Sequence, residues 1–312
     1  MGHIEVPPSV DVHGRLIGSA RGTAVEQDDN LCFDDSRVDV WTPDDPFVVT
    51  RQRIIDYARA TNDPIPAHLD GDLAPPVFGI VPVFRSMMAP LLAAVPPALL
   101  ARVVHGEQDF RFHRPITPGQ HLVSRAKMVG YEGLTKGTRA AVFIECRDDA
   151  GELVNEQYVT SFFRGFGAGK QIGTLAPGHR LIEGVRETVP LATVHQHIDD
   201  DQTFRYGPAA GDPMPIHLDE NVARSAGLPG IIAHGLCTMA FASWSVLTEV
   251  GDSDTARLRR LAVRFAKMVL PGDDLSTRIW RTGSTDGATS YVFETTRGAD
   301  TVLSDGLAVI AD

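Results

Sequence analysis

The hydrophobic pattern in the last third of the chain predicts one long buried helix followed by a series of strands. Apolar and small residues recur three and four positions apart between Leu236 and Leu247, which is the spacing of a single helix face. Beyond the helix, apolar and polar residues alternate in segments separated by turns rich in Gly and Asp. The predicted strands are Leu258–Ala266, Asp274–Trp280, Ala288–Thr296 and Thr301–Ile310.

The first half of the chain shows the same order of elements. A helix over Arg51–Ala60, with Thr50 as its N-cap, precedes a polar loop and an apolar segment. Its counterpart in the second half is a helix over Gln202–Ala209, which starts after an Asp-rich stretch. The predicted strands of the first half are Glu107–His113, His121–Val129, Arg139–Cys146 and Leu153–Phe163.

A sequence repeat explains why the two halves have the same order. Residues 57–70 read YARATNDPIPAHLD and residues 206–219 read YGPAAGDPMPIHLD, with Tyr, Asp, Pro and His recurring 149 positions apart. Two fused copies of one fold account for this repeat. Each copy alone would expose a sheet edge and an apolar helix face, so we expect the two to pair side by side.

We therefore predict an α+β fold of two domains, in which each half packs a long apolar helix against an antiparallel sheet. The predicted domains are residues 1–164 and 187–312. The linker, residues 165–186, begins with a Gly-rich stretch over residues 165–173.

The loop after the second-half helix carries residues suited to catalysis. Asp212 and His217 lie five residues apart in a loop rich in Pro and Gly. A short helix follows, with Asp219 as its N-cap and Gly227 at its end. The long helix then begins near Gly235, where backbone N–H groups lack partners and the helix dipole is positive. A carboxylate, an imidazole and a helix N-terminus favour acid–base chemistry on a carbonyl compound.

The spacing of this motif resembles that of the MaoC-like, hydratase 2 group of enoyl-thioester hydratases. The shared positions are Gly211, Asp212, Pro215, His217, Asp219, Ala223, Gly227, Ile232, His234, Gly235 and Leu236. The resemblance implies the hot-dog fold, here as a tandem or double hot-dog. It also implies reversible hydration of a trans-2-enoyl-CoA or acyl-carrier-protein thioester to the (R)-3-hydroxyacyl thioester, which is a hydro-lyase reaction.

Under this resemblance three groups are catalytic. His217 is the base, because imidazole changes its charge near neutral pH. Asp212 orients the water and relays the proton to carbon, and the N–H of Gly235 stabilises the negative charge that develops on the thioester oxygen. The family usually carries Asn two residues after the Asp, whereas this chain has Met214. Because Met cannot make the polar contact of Asn, Met214 indicates either a working variant or an altered site.

Four further residues are candidates for substrate contact besides Met214. His234 is either a buried histidine bonded to backbone or a catalytic one. Phe78 is expected to line the acyl tunnel. Arg257 and Arg260 belong to the densest basic cluster, and are either solvated surface charges or contacts to the phosphates of CoA.

The first-half pair, Asp63 and His68, is predicted not to turn over substrate. The apolar segment after it contains no His-Gly pair, and by segment order its helix starts near Val81-Pro82. Pro82 has no backbone N–H to stabilise an oxyanion. Two other functions stay open on the sequence: a hot-dog acyl-CoA thioesterase, and a non-catalytic acyl-thioester-binding subunit with a relic site.

The composition of the chain limits which classes of binding partner and cofactor are expected. The net charge of −11 leaves no basic surplus for nucleic-acid phosphates. No zinc-ligand, Walker or dinucleotide pattern is present, which predicts neither metal nor cofactor. There is no signal-peptide core and no run that approaches 18 apolar residues, so no membrane partner is expected. Three scattered cysteines favour a reducing, cytoplasmic compartment. The excess of Arg over Lys indicates a bacterial source. A homodimer is the default expectation for the assembly.

Overall fold

The computed structural model describes residues 31–100 and 102–312. Thr50 caps the first helix by accepting a hydrogen bond from the Arg53 N–H, as predicted. Asp219 caps the short helix of the second half in the same way. The helices are α1 (Arg51–Ala60), α2 (Pro66–Leu69), α3 (Phe84–Ala94), α4 (Pro97–Leu100), α5 (Gln202–Ala210), α6 (Glu220–Ser225) and α7 (Gly235–Val250).

The strands form one antiparallel sheet across both halves. Its order is β1-β3-β4-β5-β2-β8-β11-β10-β9-β7, and β6 pairs with β3. Counted outward from the β2–β8 contact, the order is β2, β5, β4, β3, β1 on one side and β8, β11, β10, β9, β7 on the other. The two orders correspond strand for strand, as a duplicated fold requires. The strands are β1 (Asp45–Val48), β2 (Val103–Phe112), β3 (His121–Leu134), β4 (Gly137–Asp148), β5 (Leu153–Arg164), β6 (Gln171–Gly173), β7 (Ala192–His197), β8 (Leu258–Phe265), β9 (Asp274–Thr285), β10 (Ala288–Arg297) and β11 (Asp300–Ala311).

The two halves meet where β2 pairs with β8, in the side-by-side arrangement predicted from their exposed edges. Gln108 lies opposite Val263 and Phe110 opposite Leu261 in this pairing. Beside them, Arg260 donates two hydrogen bonds to the carboxylate of Asp109, at 3.0 and 2.8 Å. The Asp109 side chain is only 2% exposed, so this ion pair crosses the junction largely out of water.

A second contact between the halves joins the two Tyr residues of the repeat. Tyr57 and Tyr206 are both buried, and their hydroxyl oxygens lie 3.3 Å apart. Phe78 packs edge-on against Tyr57 with ring centroids 5.5 Å apart. Residues at equivalent positions of the two copies therefore touch at the centre of the molecule.

The long helix α7 is the core helix of the second half. Eleven of its 16 residues are buried. It packs on β7, β8, β9 and β11, and also on the 3₁₀ helix Pro76–Val83 of the first half. Together, two halves that each combine helices with an antiparallel sheet form the predicted tandem hot-dog fold.

The first half departs from its predicted helix. The apolar segment is not one long α-helix: Pro76–Val83 is a 3₁₀ helix and α3 begins only at Phe84. The predicted start near Val81-Pro82 is therefore wrong. Pro82 cannot donate the backbone hydrogen bond that a continuous α-helix through it would need, so the α-helix begins only beyond it.

Three strands that the sequence did not predict are short, with four residues in β1, three in β6 and six in β7. β1 and β7 are the two edge strands of the sheet, and β6 pairs with β3 from within the predicted linker. The domain limits at residues 164 and 187 stay predictions.

One described stretch, Pro76–Ala94, is long and apolar enough to cross a membrane by length and composition, with a mean hydropathy of 1.7. The expectation that no run approaches this length is therefore wrong. Since 67% of that window is buried inside the protein, core packing accounts for its apolar character.

We expect Arg260→Ala to lower the free energy of unfolding by about 3–5 kcal/mol, because it leaves the buried Asp109 carboxylate without a partner. Chemical denaturation measures this change. Arg37→Ala is the matched control, since Arg37 pairs with Asp34 where both side chains are about half exposed, and should change stability by about 0.5 kcal/mol or less. Equal effects of the two substitutions would contradict the account of the junction.

Candidate active site

A glycine turn at the end of α5 positions Asp212. Gly211 has a φ of 74°, in the left-handed region that favours glycine. The Asp212 N–H then donates to the Gly207 carbonyl at 3.0 Å, which closes the turn. The Asp212 carboxylate is held in place because one of its oxygens accepts a hydrogen bond from the Met214 N–H at 3.1 Å.

The Asp212 carboxyl group is partly buried, and this changes its acidity. Burial raises its pKa, while the Met214 N–H and the nearby His217 act in the opposite direction. Asp212 is therefore easier to protonate than a solvated aspartate, which suits a group that passes a proton on.

His217 follows Asp212 in the 3₁₀ helix Pro215–His217, and one contact fixes its tautomer. Its Nδ1 lies 2.9 Å from the Ile232 carbonyl oxygen. Because a carbonyl can only accept, Nδ1 carries the proton and Nε2 presents a lone pair. Burial lowers the pKa of His217, so the imidazole is neutral and basic at neutral pH.

His234 lies directly against His217. Their ring centroids are 3.9 Å apart with 26° between the ring planes. Tyr206 packs on His234 at 4.9 Å. His234 is 1% exposed. Burial lowers its pKa to about 3, while a hydrogen bond with the backbone of Asp212 acts in the opposite direction. A catalytic role for His234 stays a prediction.

Gly235 is the first residue of α7, so its N–H has no acceptor within the helix. A Cβ at this position would meet the Phe265 ring at 3.1 Å, so only glycine fits without moving the ring. His105, a residue of the first half, packs edge-on against Phe265 with ring centroids 4.8 Å apart. The sequence analysis did not identify His105 or Phe265 as site residues. The only sequence feature that could have indicated them is their position at the ends of strands near the junction of the halves.

One carboxylate oxygen of Asp212 and one ring nitrogen each of His217 and His234 lie within 4.8 Å of one another. This donor set has the composition of a zinc site. Zinc would need all three of these atoms at about 2.0–2.2 Å from a single point.

A cavity of about 290 Å³ borders the catalytic loop. Ala210 and Gly211, which precede Asp212, form one wall, and the guanidinium of Arg53 lies on another. Val81, Pro82, Phe84 and Phe47 supply apolar surface from the first half. Residues of both halves therefore line the cavity, and its lining includes neither Phe78 nor Asp212, His217 or Gly235. The acyl tunnel stays a prediction.

The other predicted contact residues lie elsewhere or are already paired. Phe78 is fully buried behind Tyr57, and the Met214 side chain is 47% exposed. Arg257 binds Asp252 and the Ala311 carbonyl, and Arg260 binds Asp109. Arg260 is also five residues along β8 from Phe265, or about 17 Å. These pairings favour structural roles for both arginines over phosphate contact.

The first-half pair has a different arrangement from its repeat partner. His68 Nδ1 lies 2.8 Å from a carboxylate oxygen of Asp63, and His68 Nε2 lies 2.6 Å from the Thr255 hydroxyl oxygen. The second Asp63 oxygen accepts the Ile65 N–H at 2.9 Å. His68 is fully buried, so no nitrogen of its ring is available to a substrate.

Comparison with known proteins agrees with this architecture. The family model described as "MaoC like domain" matches residues 183–302, and the model described as "FAS1-like, dehydratase domain region" matches residues 37–157. A protein of Dictyostelium discoideum named "Probable enoyl-CoA hydratase 2" is 30% identical over 211 residues, covering 67% of this chain and 70% of the relative. The chain belongs to the MaoC-like dehydratase family.

Other similar proteins extend this finding. The mouse "Peroxisomal multifunctional enzyme type 2" is 30% identical over 239 residues, and the match covers 74% of this chain but 31% of that larger enzyme. A crystal structure of a MaoC-like dehydratase from Phytophthora capsici superimposes with a TM-score of 0.80 at 22% identity, covering 89% of this chain and 97% of the other. This last likeness supports the double hot-dog fold alone.

We expect Thr255→Val to destabilise the protein by about 1–3 kcal/mol, because it leaves His68 Nε2 buried without its hydroxyl partner. Thermal or chemical unfolding measures the loss. Thr255→Ser keeps the hydroxyl and is the matched control. If Val and Ser at this position gave the same stability, the His68–Thr255 bond would not hold the two halves together.

Proposed function

We propose that this protein is an enoyl-thioester hydratase that adds water reversibly across the 2,3 double bond of an acyl thioester. One observation carries the proposal: His217 presents an unprotonated Nε2 beside the Asp212 carboxylate, near the N-terminus of α7. The names of the relatives, enoyl-CoA hydratase 2 among them, point to the same reaction.

Hydration needs a base for the attacking water and an acid for the neighbouring carbon. His217 accepts a proton from the water as its oxygen bonds to C3. Asp212 holds the water through its free oxygen and relays the proton from His217 to C2, so both side chains return to their starting protonation states; burial raises the pKa of Asp212, which makes it easier to protonate on the way. Positioned groups of this kind typically contribute about 10²–10⁴ in rate.

The start of α7 stabilises the charge that develops during the reaction. As water adds, negative charge moves to the thioester oxygen, and the Gly235 N–H points from the positive end of a helix. Phe265 packs against Gly235 and keeps the backbone close to the substrate. One such donor is typically worth about 3–4 kcal/mol.

The cavity beside Gly211 would hold part of the substrate. Val81, Pro82 and Phe84 give it apolar surface for an acyl chain, and the charged residues Asp45, Arg53 and Arg85 give it polar surface. The first half therefore contributes a wall rather than a second site. CoA and acyl-carrier-protein thioesters both remain compatible with this arrangement, as does formation of the (R)-3-hydroxy product. A cytoplasmic location, a bacterial source and a homodimer stay predictions of the sequence.

The hydratase assay follows the loss of the conjugated enoyl-CoA absorbance. We expect His217→Ala and Asp212→Asn each to lose at least about 10² in kcat/KM, because each removes an acid–base group. His113→Ala is the control, since His113 pairs with Glu156 at the surface and should keep the wild-type rate. Comparable rates in all variants would contradict the assignment, and release of free thiol would indicate a thioesterase instead.

The activity should persist below the pH at which an ordinary imidazole is protonated. His217 must be neutral to act as a base, and burial lowers its pKa from the usual value of 6.5. The midpoint of the acid side of the kcat/KM–pH profile should therefore lie below pH 6.5. A midpoint above pH 6.5 would show that a group other than His217 determines this side of the profile.

A further inference from the structure

The cavity beside Gly211 contains a guanidinium group that the proposed mechanism does not use. This cavity of about 290 Å³ has Ala210 and Gly211 on one wall and the half-buried side chain of Arg53 on another. Its volume is near the lower end of the range for small-molecule sites, about 300–1,000 Å³. A charged group in the lining of such a cavity can bind the part of a ligand that enters it.

Arg53 carries a positive charge that no carboxylate in the described chain balances. The other arginine of the cavity, Arg85, pairs with Asp45. Within residues 31–100 and 102–312, no acceptor binds the Arg53 guanidinium, which lies over the Phe47 ring at 5.0 Å from its centroid. Because Arg85 balances Asp45, the cavity lining has one positive charge in excess. This excess favours a negatively charged ligand.

Contacts on two sides hold the Arg53 guanidinium in place. The Phe47 ring lies on one side, in a cation–π contact. On the other side, a guanidinium nitrogen lies 3.5 Å from the point that a Cβ on Gly211 would occupy. A guanidinium fixed in this way presents a planar fork of N–H donors, which can bind both oxygens of a carboxylate.

The position of Arg53 limits how far its ligand lies from the reacting carbon atoms. Gly211 and Asp212 are adjacent, so standard bond lengths place this Arg53 nitrogen within roughly 12 Å of the Asp212 carboxylate. With contacts of about 3 Å at each end, about five carbon–carbon bonds span the remaining distance. An acyl chain of about eight carbon atoms or fewer would therefore reach from the thioester to Arg53.

A chain that ends in a methyl group would match this cavity poorly. Val81, Pro82 and Phe84 provide apolar surface for methylene groups. A methyl group beside Arg53 would displace water from the guanidinium without replacing its hydrogen bonds, which costs free energy. A carboxylate at the same place would replace that water with charge-assisted hydrogen bonds.

We propose that Arg53 binds a carboxylate at the far end of the acyl chain, so that the preferred substrate is a short dicarboxylic enoyl thioester. This proposal rests on the proposed hydratase function. The acyl chain passes Gly211, with its double bond near Asp212 and His217 and its terminal carboxylate on Arg53. The CoA or carrier protein lies at the opposite end of the acyl chain. A contact between Arg53 and its phosphates would therefore give a different experimental result.

The test compares trans-2-octenedioyl-CoA with trans-2-octenoyl-CoA, which have equal length and differ in the terminal group. We expect the wild type to have a kcat/KM about 10- to 100-fold higher for the dicarboxylic substrate, the effect of one charge-assisted pair. Arg53→Gln should bring the ratio of the two kcat/KM values close to one. Arg53→Lys should give an intermediate ratio, because it keeps the charge but not the planar fork. Arg53→Lys also replaces Arg53→Gln if circular dichroism shows that the Gln variant does not fold.

Arg51→Gln is the matched control for this ratio. Arg51 lies in the same first turn of α1, but its side chain pairs with Asp72 and is not part of the cavity lining. The ratio should therefore stay at its wild-type value in Arg51→Gln. An unchanged ratio in Arg53→Gln would overturn the proposal. A fall of both kcat/KM values by the same factor would also overturn it, because that result indicates a contact to the CoA part that both substrates share.

Binding without turnover separates this proposal from the proposed function. Isothermal titration with the saturated thioesters octanedioyl-CoA and octanoyl-CoA should show at least about tenfold tighter binding of the dicarboxylic one by the wild type. Arg53→Gln should lose this difference. Equal binding of the two thioesters by the wild type would overturn the carboxylate site, whether or not the protein is a hydratase. A wild type that shows the difference but hydrates neither enoyl substrate would overturn the proposed function and support the carboxylate site.

Discussion

The hydrogen bond from His217 Nδ1 to the Ile232 carbonyl is the constraint on which the site depends. It leaves Nε2 as a free base, and it joins the catalytic loop to the chain that enters α7. Ile232 lies three residues before Gly235, so the same contact sets the distance between the base and the helix start. The proposed acid–base groups and the proposed oxyanion donor are thereby positioned as one unit.

The first half shows what happens to the same motif under a different constraint. There the Nδ1 of His68 binds Asp63 and its Nε2 accepts from Thr255, a residue of the second half. The imidazole that is a free base in one copy is a bonded, buried contact between copies in the other. The duplicated sequence pattern thus forms a loop with the proposed catalytic pair in one copy and a loop that contacts the other half in the other copy.

The repeat and the spacing of the motif predicted most of the fold, and they led to the three proposed catalytic residues, whose roles stay predictions. Thr50 and Asp219 could be identified as helix caps because capping is a local property. Contacts across the halves could not be predicted, because they depend on the β2–β8 register. The positions of Phe265 and His105 beside Gly235 are therefore seen only in the structure. The start of α3 at Phe84, beyond Pro82, also differs from the predicted helix start.

The central claim is that each chain has one working site, in the second half, and that the first-half pair is closed by Thr255. Isothermal titration with a saturated acyl-CoA, which binds but cannot be hydrated, measures the number of sites directly. The account predicts one thioester bound per chain, with binding retained in Thr255→Ser. Two thioesters bound per chain would contradict it, because the His68 pocket would then be open to substrate.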